Sequence, residues 1–226
     1  MDFSFDEVVS VEDVVCDSLR YDITVSENHN FFANDILVHN CQNLTAELEE
    51  WRSLSWEVTE KLDGSSMTVY VMGDDSGVCS RNLNLKLNLD NSLWRVAMVD
   101  GLIDKIRSTG RNLALQGEIV GEGIQKNRYK IKGQDFYLFD IYDIDMGRYL
   151  NPVERRDIAK SLEINHVPVL KSDEVLEACT VAHILKWAEG VATWGGMERE
   201  GIVFKCNERE VSFKAISNKF LLKGGE

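Results

Sequence analysis

The stretch EVTEKLDGSSMTVYVM, residues 57–72, most narrows what this chain can fold into. Two runs rich in β-forming residues meet across Asp63-Gly64, a turn dipeptide, and Lys61 stands just before the turn. A charged residue in that place sits at a strand end, so the fold must build sheets and present polar groups at their rims. The same pattern recurs downstream. LALQGEIVG carries Glu118, DFYLFDIYDI carries Asp140, Glu200 directly precedes GIVFK, and Lys214 lies within VSFKA. Helical patterning separates these strings. It covers Thr45 to Arg52, then Asn91 to Ser108, where Leu93, Val96, Ala97, Val99, Leu102, Ile103 and Ile106 form an apolar stripe. Pro152 fits the first turn of a helix through VERRDIAKSL, and a further helix is predicted from Val181 to Gly190. Strands interrupted by helices, with reactive side chains at strand ends, predict a mixed α+β domain.

Charge divides the chain in two. The net charge is −13 over 226 residues. Residues 1–40 hold nine carboxylates and a single base, Arg20, a net of −8, which leaves −5 for everything after. A balance of this sign argues against non-specific nucleic-acid binding by bulk attraction. The five cysteines (Cys16, Cys41, Cys79, Cys179, Cys206) are scattered without a CxxC pair, which argues against a zinc site or a disulfide framework. No apolar run approaches the ~18 residues that cross a bilayer, and the start is acidic. The expectation is a cytoplasmic protein with no membrane partner.

Lys61-Leu62-Asp63-Gly64 alone is a common tetrapeptide, and a surface lysine before a tight turn explains it equally well. Its company in fixed order is what carries weight: Ser80-Arg81-Asn82, Gly117-Glu118-Ile119, Phe136 to Asp140, Glu200-Gly201-Ile202-Val203 and Phe213-Lys214. With these motifs the chain resembles the covalent nucleotidyltransferases, which comprise RNA ligases, DNA ligases and mRNA capping enzymes. The strings TEKLDGSSMTVY, CSRN, LQGEIVGEGIQKN, DFYLFDIYDI, REGIVFK and SFKAISNKFLLK are most similar to ATP-dependent RNA ligases that carry an OB-type domain ahead of the catalytic one. The resemblance runs from about Cys41 to Lys223.

The resemblance implies a nucleotidyltransferase fold of antiparallel sheets with helices, an ATP-grasp-like ligase adenylation domain, over residues 41–226. It also implies that Lys61 attacks the α-phosphate of ATP to form lysyl-AMP. An unperturbed amine is almost wholly protonated near neutrality, so the site must expose the lone pair. Glu118, Glu200 and Asp63 are expected as hard oxygen donors for Mg²⁺ or Mn²⁺ and for ribose hydroxyls. Lys214 and Arg81 are expected at the phosphates. Phe139 is expected to stack on adenine, although strand alternation alone would make it a core residue, and Asp140 to support it. Glu60 and Gly64 complete the expected nucleotide contacts. AMP would then pass to an RNA 5′-phosphate, and an RNA 3′-hydroxyl would displace it. One departure stands out: where many relatives place two lysines one residue apart, this chain has Ser212 and Lys214, and Lys219 is out of register.

Residues 1–40 read as short strands, VVSVEDVV, YDITV, NFFA and DILV, too few to bury a core without a partner. YDITV, NHNFFANDILV and His39-Asn40-Cys41 together resemble the C-terminal end of an intein, a small all-β HINT-type segment. Cys41 would accept an acyl chain, Asn40 would cyclise to cleave the bond to Cys41, and His39 and His29 would move protons. Asp22 resembles the acid that helps activate an upstream thiol. The expected organisation is therefore an intein fragment at 1–40 and a ligase domain at 41–226. The intein is expected to be naturally split, with a partner polypeptide supplying the N-terminal intein and N-extein, an arrangement that suggests a bacteriophage genome. The competing readings are a DNA ligase or capping enzyme, or a binding module whose ligase motifs no longer act.

Overall fold

The computed structural model describes residues 30–33, 36–39, 45–177 and 179–222. The chain divides into two compact units, Met1–Leu48 and Glu49–Glu226. In the first, β1 (Asn30–Ala33) and β2 (Ile36–His39) form an antiparallel hairpin with Asn30 opposite His39. Asp22, His29, Asn40 and Cys41 lie outside the described residues, and His39 is described only as part of β2. Helix α1 (Thr45–Trp51) follows. Among the described residues no helix is long and apolar enough to cross a membrane.

The second unit is a pair of antiparallel sheets. Its elements in order are β3 (Ser55–Lys61), β4 (Ser65–Met72), β5 (Asp75–Cys79), β6 (Asn84–Leu85), α2 (Ser92–Val99), α3 (Leu102–Ser108), β7 (Leu113–Gly121), β8 (Gln134–Asp143), β9 (Arg148–Tyr149), α4 (Pro152–Ser161), β10 (Val169–Val175), α5 (Val181–Ala188), β11 (Gly201–Cys206), β12 (Ser212–Ile216) and α6 (Asn218–Leu222). The small sheet has the order β10-β3-β11-β12, and the large one β6-β5-β4-β7-β8-β9. The chain leaves the small sheet at Lys61 and enters the large one at Ser65, so the Asp63-Gly64 turn is where the two sheets join.

Each sheet buries one face. Met67, Val69, Val71, Leu113, Leu115, Ile119, Phe136, Leu138 and Ile141 of the large sheet pack with Trp94, Val96 and Ala97 of α2 and Leu102 and Ile106 of α3. The small sheet buries an aromatic stack: Phe204 lies 4.4 Å from Phe213 and 5.5 Å from Trp187 of α5, and Trp56 lies 5.2 Å from Phe213. Side chains alternate along a strand, so the opposite face of the small sheet is fixed by register. Lys61 pairs with Gly201, Thr59 with Val203, Glu57 with Lys205, and Val203 with Lys214. That face carries Lys61, Glu57, Lys205 and Lys214, and it meets the polar face of the large sheet. There Lys205 Nζ donates to the Phe139 carbonyl at 2.8 Å and pairs with Asp140.

The helix expected over Asn91 to Ser108 is two helices. Gly101 breaks it, adopting a left-handed φ of 62° between α2 and α3, a conformation glycine takes without Cβ strain. The Asn151 side chain and Glu154 form a capping box around Pro152 at the start of α4, as the Pro152 reading anticipates.

Candidate active site

Lys61 closes β3, and its Nζ donates to Glu200 Oε1 at 2.6 Å. Glu200 directly precedes β11, and its backbone carbonyl accepts from the Ser217 amide at 2.8 Å, which ties the site to the end of β12. The other carboxylate oxygen of Glu200 is buried without a hydrogen-bond partner among the described residues. Burial pushes Glu200 above the usual carboxylate range, and the neighbouring Lys61 opposes that shift. Glu118, on β7, joins this group. Burial raises its carboxyl to about 7; the charges of Glu200 and Asp63 add to the rise, while Lys61 pulls it down. Crowded, desolvated carboxylates around one ammonium make a site in need of positive charge.

Gly64 makes this approach possible. A Cβ at that position would stand 2.3 Å from the Ile119 carbonyl oxygen and 2.8 Å from Glu118 Cγ. The turn after Lys61 therefore lies directly against the strand that carries Glu118. Leu62 packs beneath it with Val120, Tyr129, Val167 and Ala192, and Phe139, Tyr137 and Trp194 lean on the same cluster.

Phe139 occupies a β-bulge. Gln116 of β7 pairs with Asp140 while Gly117 pairs with Leu138, so Phe139 is the extra residue. Bulges re-aim side chains beside functional sites. Here the bulge puts Phe139 and Asp140 consecutively on the polar side, whereas Leu138 and Ile141 on either side of them are fully buried. Counting on from the buried Phe136 and Leu138, alternation leaves Phe139 on the outer face with Tyr137, and the bulge keeps Asp140 there too before burial resumes at Ile141. Lys205 Nζ lies 5.7 Å from the Phe139 ring centre as well as bonding its carbonyl. Burial lowers Lys205 to about 8, against the opposing pull of Asp140.

Other expected residues sit differently. Asp63 forms an ion pair with Arg128 at 3.0 Å. Among the described residues no three His, Cys, Asp or Glu side chains converge as a metal cage. Arg128 reaches Asp63 from the β7–β8 connection, and Asp63 and Glu200 both lie close enough to Glu118 for their charges to act on it. One Glu60 oxygen accepts from the Thr193 amide at 2.9 Å and hydroxyl at 2.6 Å, and the other is buried without a partner. Lys214 is exposed on β12, where its charge acts on Glu200. Arg81 is exposed in the turn between β5 and β6. Ser212 stands opposite Lys205.

A buried charge network underlies the groove and was not foreseen from the residues. Arg155 and Arg156 of α4 both pair with Glu57, which is fully buried. Arg155 Nε donates to His166 Nε2 at 3.0 Å, and His166 Nδ1 faces the Val167 carbonyl at 2.6 Å. At this end of β11 a cavity of about 630 Å³ is lined by Asp140, Arg148, Arg155, Lys205, Asn207 and Ser212, among others. It includes none of Lys61, Glu118 and Glu200.

The RNA ligase family model matches residues 54–218, and the chain is a member of the RNA ligase family. Among solved structures, an RNA ligase mutant of Naegleria gruberi with AMP and Mn is 48% identical, with a TM-score of 0.77 over 80% of this chain and 55% of that one. Another mutant of the same ligase, with ATP and Mn, is 47% identical, with a TM-score of 0.78 over 81% of this chain and 56% of that one. The chain thus spans little more than half the length of these relatives. A DNA polymerase of Thermococcus litoralis is 46% identical over 50 residues, which are 21% of this chain and 3% of the polymerase.

Proposed function

We propose that Glu49–Glu226 is the nucleotidyl-transfer module of an ATP-dependent RNA ligase, with Lys61 as its nucleophile. The 2.6 Å contact between Lys61 and Glu200, with half-buried Glu118 beside them, carries this reading. Support comes from family membership and from the ATP, AMP and Mn in the Naegleria ligase structures.

Lys61 attacks only as the neutral amine, so the ammonium first loses a proton, and Glu200, 2.6 Å from Nζ, is the base in hydrogen-bond reach. The Lys61 amine then forms a bond to the α-phosphorus as the α–β bridging P–O bond breaks. Pyrophosphate leaves, and the nitrogen releases a proton to give the phosphoramidate, lysyl-AMP. The RNA 5′-phosphate next attacks that phosphorus and regenerates the amine. An RNA 3′-hydroxyl finally attacks the adenylylated 5′-phosphate, forms the phosphodiester and expels AMP. Positioning and charge neutralisation dominate such displacements.

Each group on the polar faces has a role by type. Lys214 and Arg81 are the cations suited to the phosphates. Phe139, fixed by its bulge and by Lys205, offers a ring face for adenine, with Asp140 holding Lys205. Glu118 and the unpartnered oxygen of Glu200 are hard donors that fit Mg²⁺ or Mn²⁺, an ion that would neutralise phosphate charge when bound. The direct test mixes the protein, ATP and a nicked RNA bearing 5′-phosphate and 3′-hydroxyl ends. One pyrophosphate and one AMP per joined nick are expected; pyrophosphate release without joining on RNA, but with joining on DNA, would reassign the substrate.

We infer further that residues 1–40 are the C-terminal fragment of an intein, completed by another polypeptide. The spacing of Asp22, His29, His39, Asn40 and Cys41 supports this. The Cys41 thiol would take the upstream acyl group. The Asn40 side-chain nitrogen would then attack its own carbonyl, closing a succinimide and breaking the bond to Cys41, and an S-to-N acyl shift would restore the peptide. Mass spectrometry should then find a product beginning with an upstream sequence fused to Cys41-Gln42-Asn43, absent in Asn40→Ala. Persistence of the intact chain with every candidate partner fragment would reject the reading.

A further inference from the structure

Between β7 and β8 the chain makes a strap over the turn that follows Lys61, and four of its non-glycine residues have left-handed backbones. These are Gln125, Lys126, Asn127 and Lys130, with φ of 41°, 55°, 48° and 55°. Such conformations persist only where surrounding contacts over-determine them, and they cluster at functional sites. The contacts here are specific. Asn127 locks the strap internally, its side chain donating to the Ile131 carbonyl at 2.9 Å and accepting from the Ile131 amide at 3.1 Å. Two side chains then reach the Lys61 turn. The Asp63 amide donates to the Tyr129 hydroxyl at 2.6 Å, and Arg128 pairs with the Asp63 carboxylate at 3.0 Å.

Arg128 does more than neutralise Asp63. Its second terminal nitrogen donates to the Glu198 carbonyl at 3.0 Å, two residues before Glu200. Its guanidinium also lies 4.5 Å from the ring centre of Phe220 on α6. One planar side chain thus joins the turn after the nucleophile, the segment that leads into Glu200, and the helix after β12. A guanidinium can bond in two directions while stacking; an ammonium cannot. Tyr129 is anchored in turn by Trp194, edge-on at 6.3 Å.

We propose that Arg128 and Tyr129 are positioning residues for nucleotidyl transfer. They set the angle of the Lys61 turn relative to Glu200 by holding the backbone and the side chain of Asp63 at once. Neither touches the reacting atoms in this role, which rests on Lys61 being the nucleophile. Losing them should lower the rate at saturating ATP more than it weakens ATP binding, because misplacing a nucleophile by about an ångström costs on the order of a hundredfold.

The test compares the full chain with Tyr129→Phe, Arg128→Gln, Arg128→Lys and Phe220→Leu. Two readouts are used: amide hydrogen exchange at residues 61–64, and the rate and KM for self-adenylylation with ATP. Tyr129→Phe and Arg128→Gln should speed exchange at the Asp63 amide, without lowering the thermal midpoint in proportion. Each should cut the saturating rate by about tenfold or more while moving KM less. Arg128→Lys should not rescue the rate, and Phe220→Leu should give a smaller loss. Unchanged exchange at Asp63 in both strap variants overturns the proposal, whatever the activity. So does a loss that appears only as KM or only as a lower thermal midpoint. If exchange responds but the unaltered chain takes no AMP even with the upstream half of the enzyme supplied, Arg128 and Tyr129 hold the turn, but Lys61 is not the nucleophile and the positioning role in nucleotidyl transfer falls with it.

Discussion

Lys61, Glu118 and Glu200 make opposing demands on a small desolvated volume. The carboxylates are pushed up by burial, and the single ammonium among them is what holds them together. The geometry tolerates little extra bulk. Gly64→Ala should force the turn off Glu118 and the Ile119 carbonyl, destabilising the protein by about 1–3 kcal/mol as overpacking does. It should also cut adenylylation by more than tenfold, and thermal melting beside a labelling assay checks both. His166 supplies a separate test at this scale. Burial, then the charge of Arg155, lowers its pKa to about 4. Nδ1–H donates to the Val167 carbonyl and Nε2 accepts from Arg155, so a second proton would meet a guanidinium donor. The unfolded histidine, near 6.5, binds its proton first on acidification. Stability should therefore fall as pH drops from about 6.5 to about 4 and level off below, by up to about 3 kcal/mol from this group. His166→Asn should flatten that part of a denaturant-midpoint profile against pH.

At the scale of elements, the helix break at Gly101 is testable in isolation. A Cβ there meets nothing within 4 Å, so Gly101→Ala probes backbone conformation alone. The left-handed φ should make it about 1 kcal/mol less stable in urea. What could be read in the sequence follows from the same physics. The long strands β7 and β8 and the capped helix α4 declare themselves because their apolar period or their Asn-Pro-x-Glu start is local. By contrast β10, VLKSDEV, is an edge strand with mostly exposed, charged side chains and two register shifts against β3, so no alternation marks it. The bulge at Phe139 is likewise invisible, since it depends on the register of a partner strand. In the site, Lys61, Glu118 and Glu200 were legible from motif order and do come together. Arg128, Tyr129 and Thr193 were not, because each acts by reaching across from a distant segment, and their local strings carry no reactive pattern.

At the scale of the whole chain, charge is the governing quantity. Residues 1–40 contribute −8 of the net −13. Removing them should strengthen RNA binding several-fold at low ionic strength, and the advantage should shrink as salt is raised. Filter binding of a nicked RNA to the chain with and without residues 1–40, across a salt series, measures this. Equal affinity at every salt would mean that the acidic segment does not reach the RNA-binding face. The proposed nucleotidyl transfer lies upstream of all such effects. Its most direct test is incubation of the purified chain with α-labelled ATP and Mg²⁺ or Mn²⁺, followed by denaturing electrophoresis. An acid-labile label on the protein, absent in Lys61→Ala, is the result expected of a lysyl-AMP. A label that survives Lys61→Ala, or no label even when the upstream half of the enzyme is supplied, would contradict the assignment of Lys61 as the nucleophile.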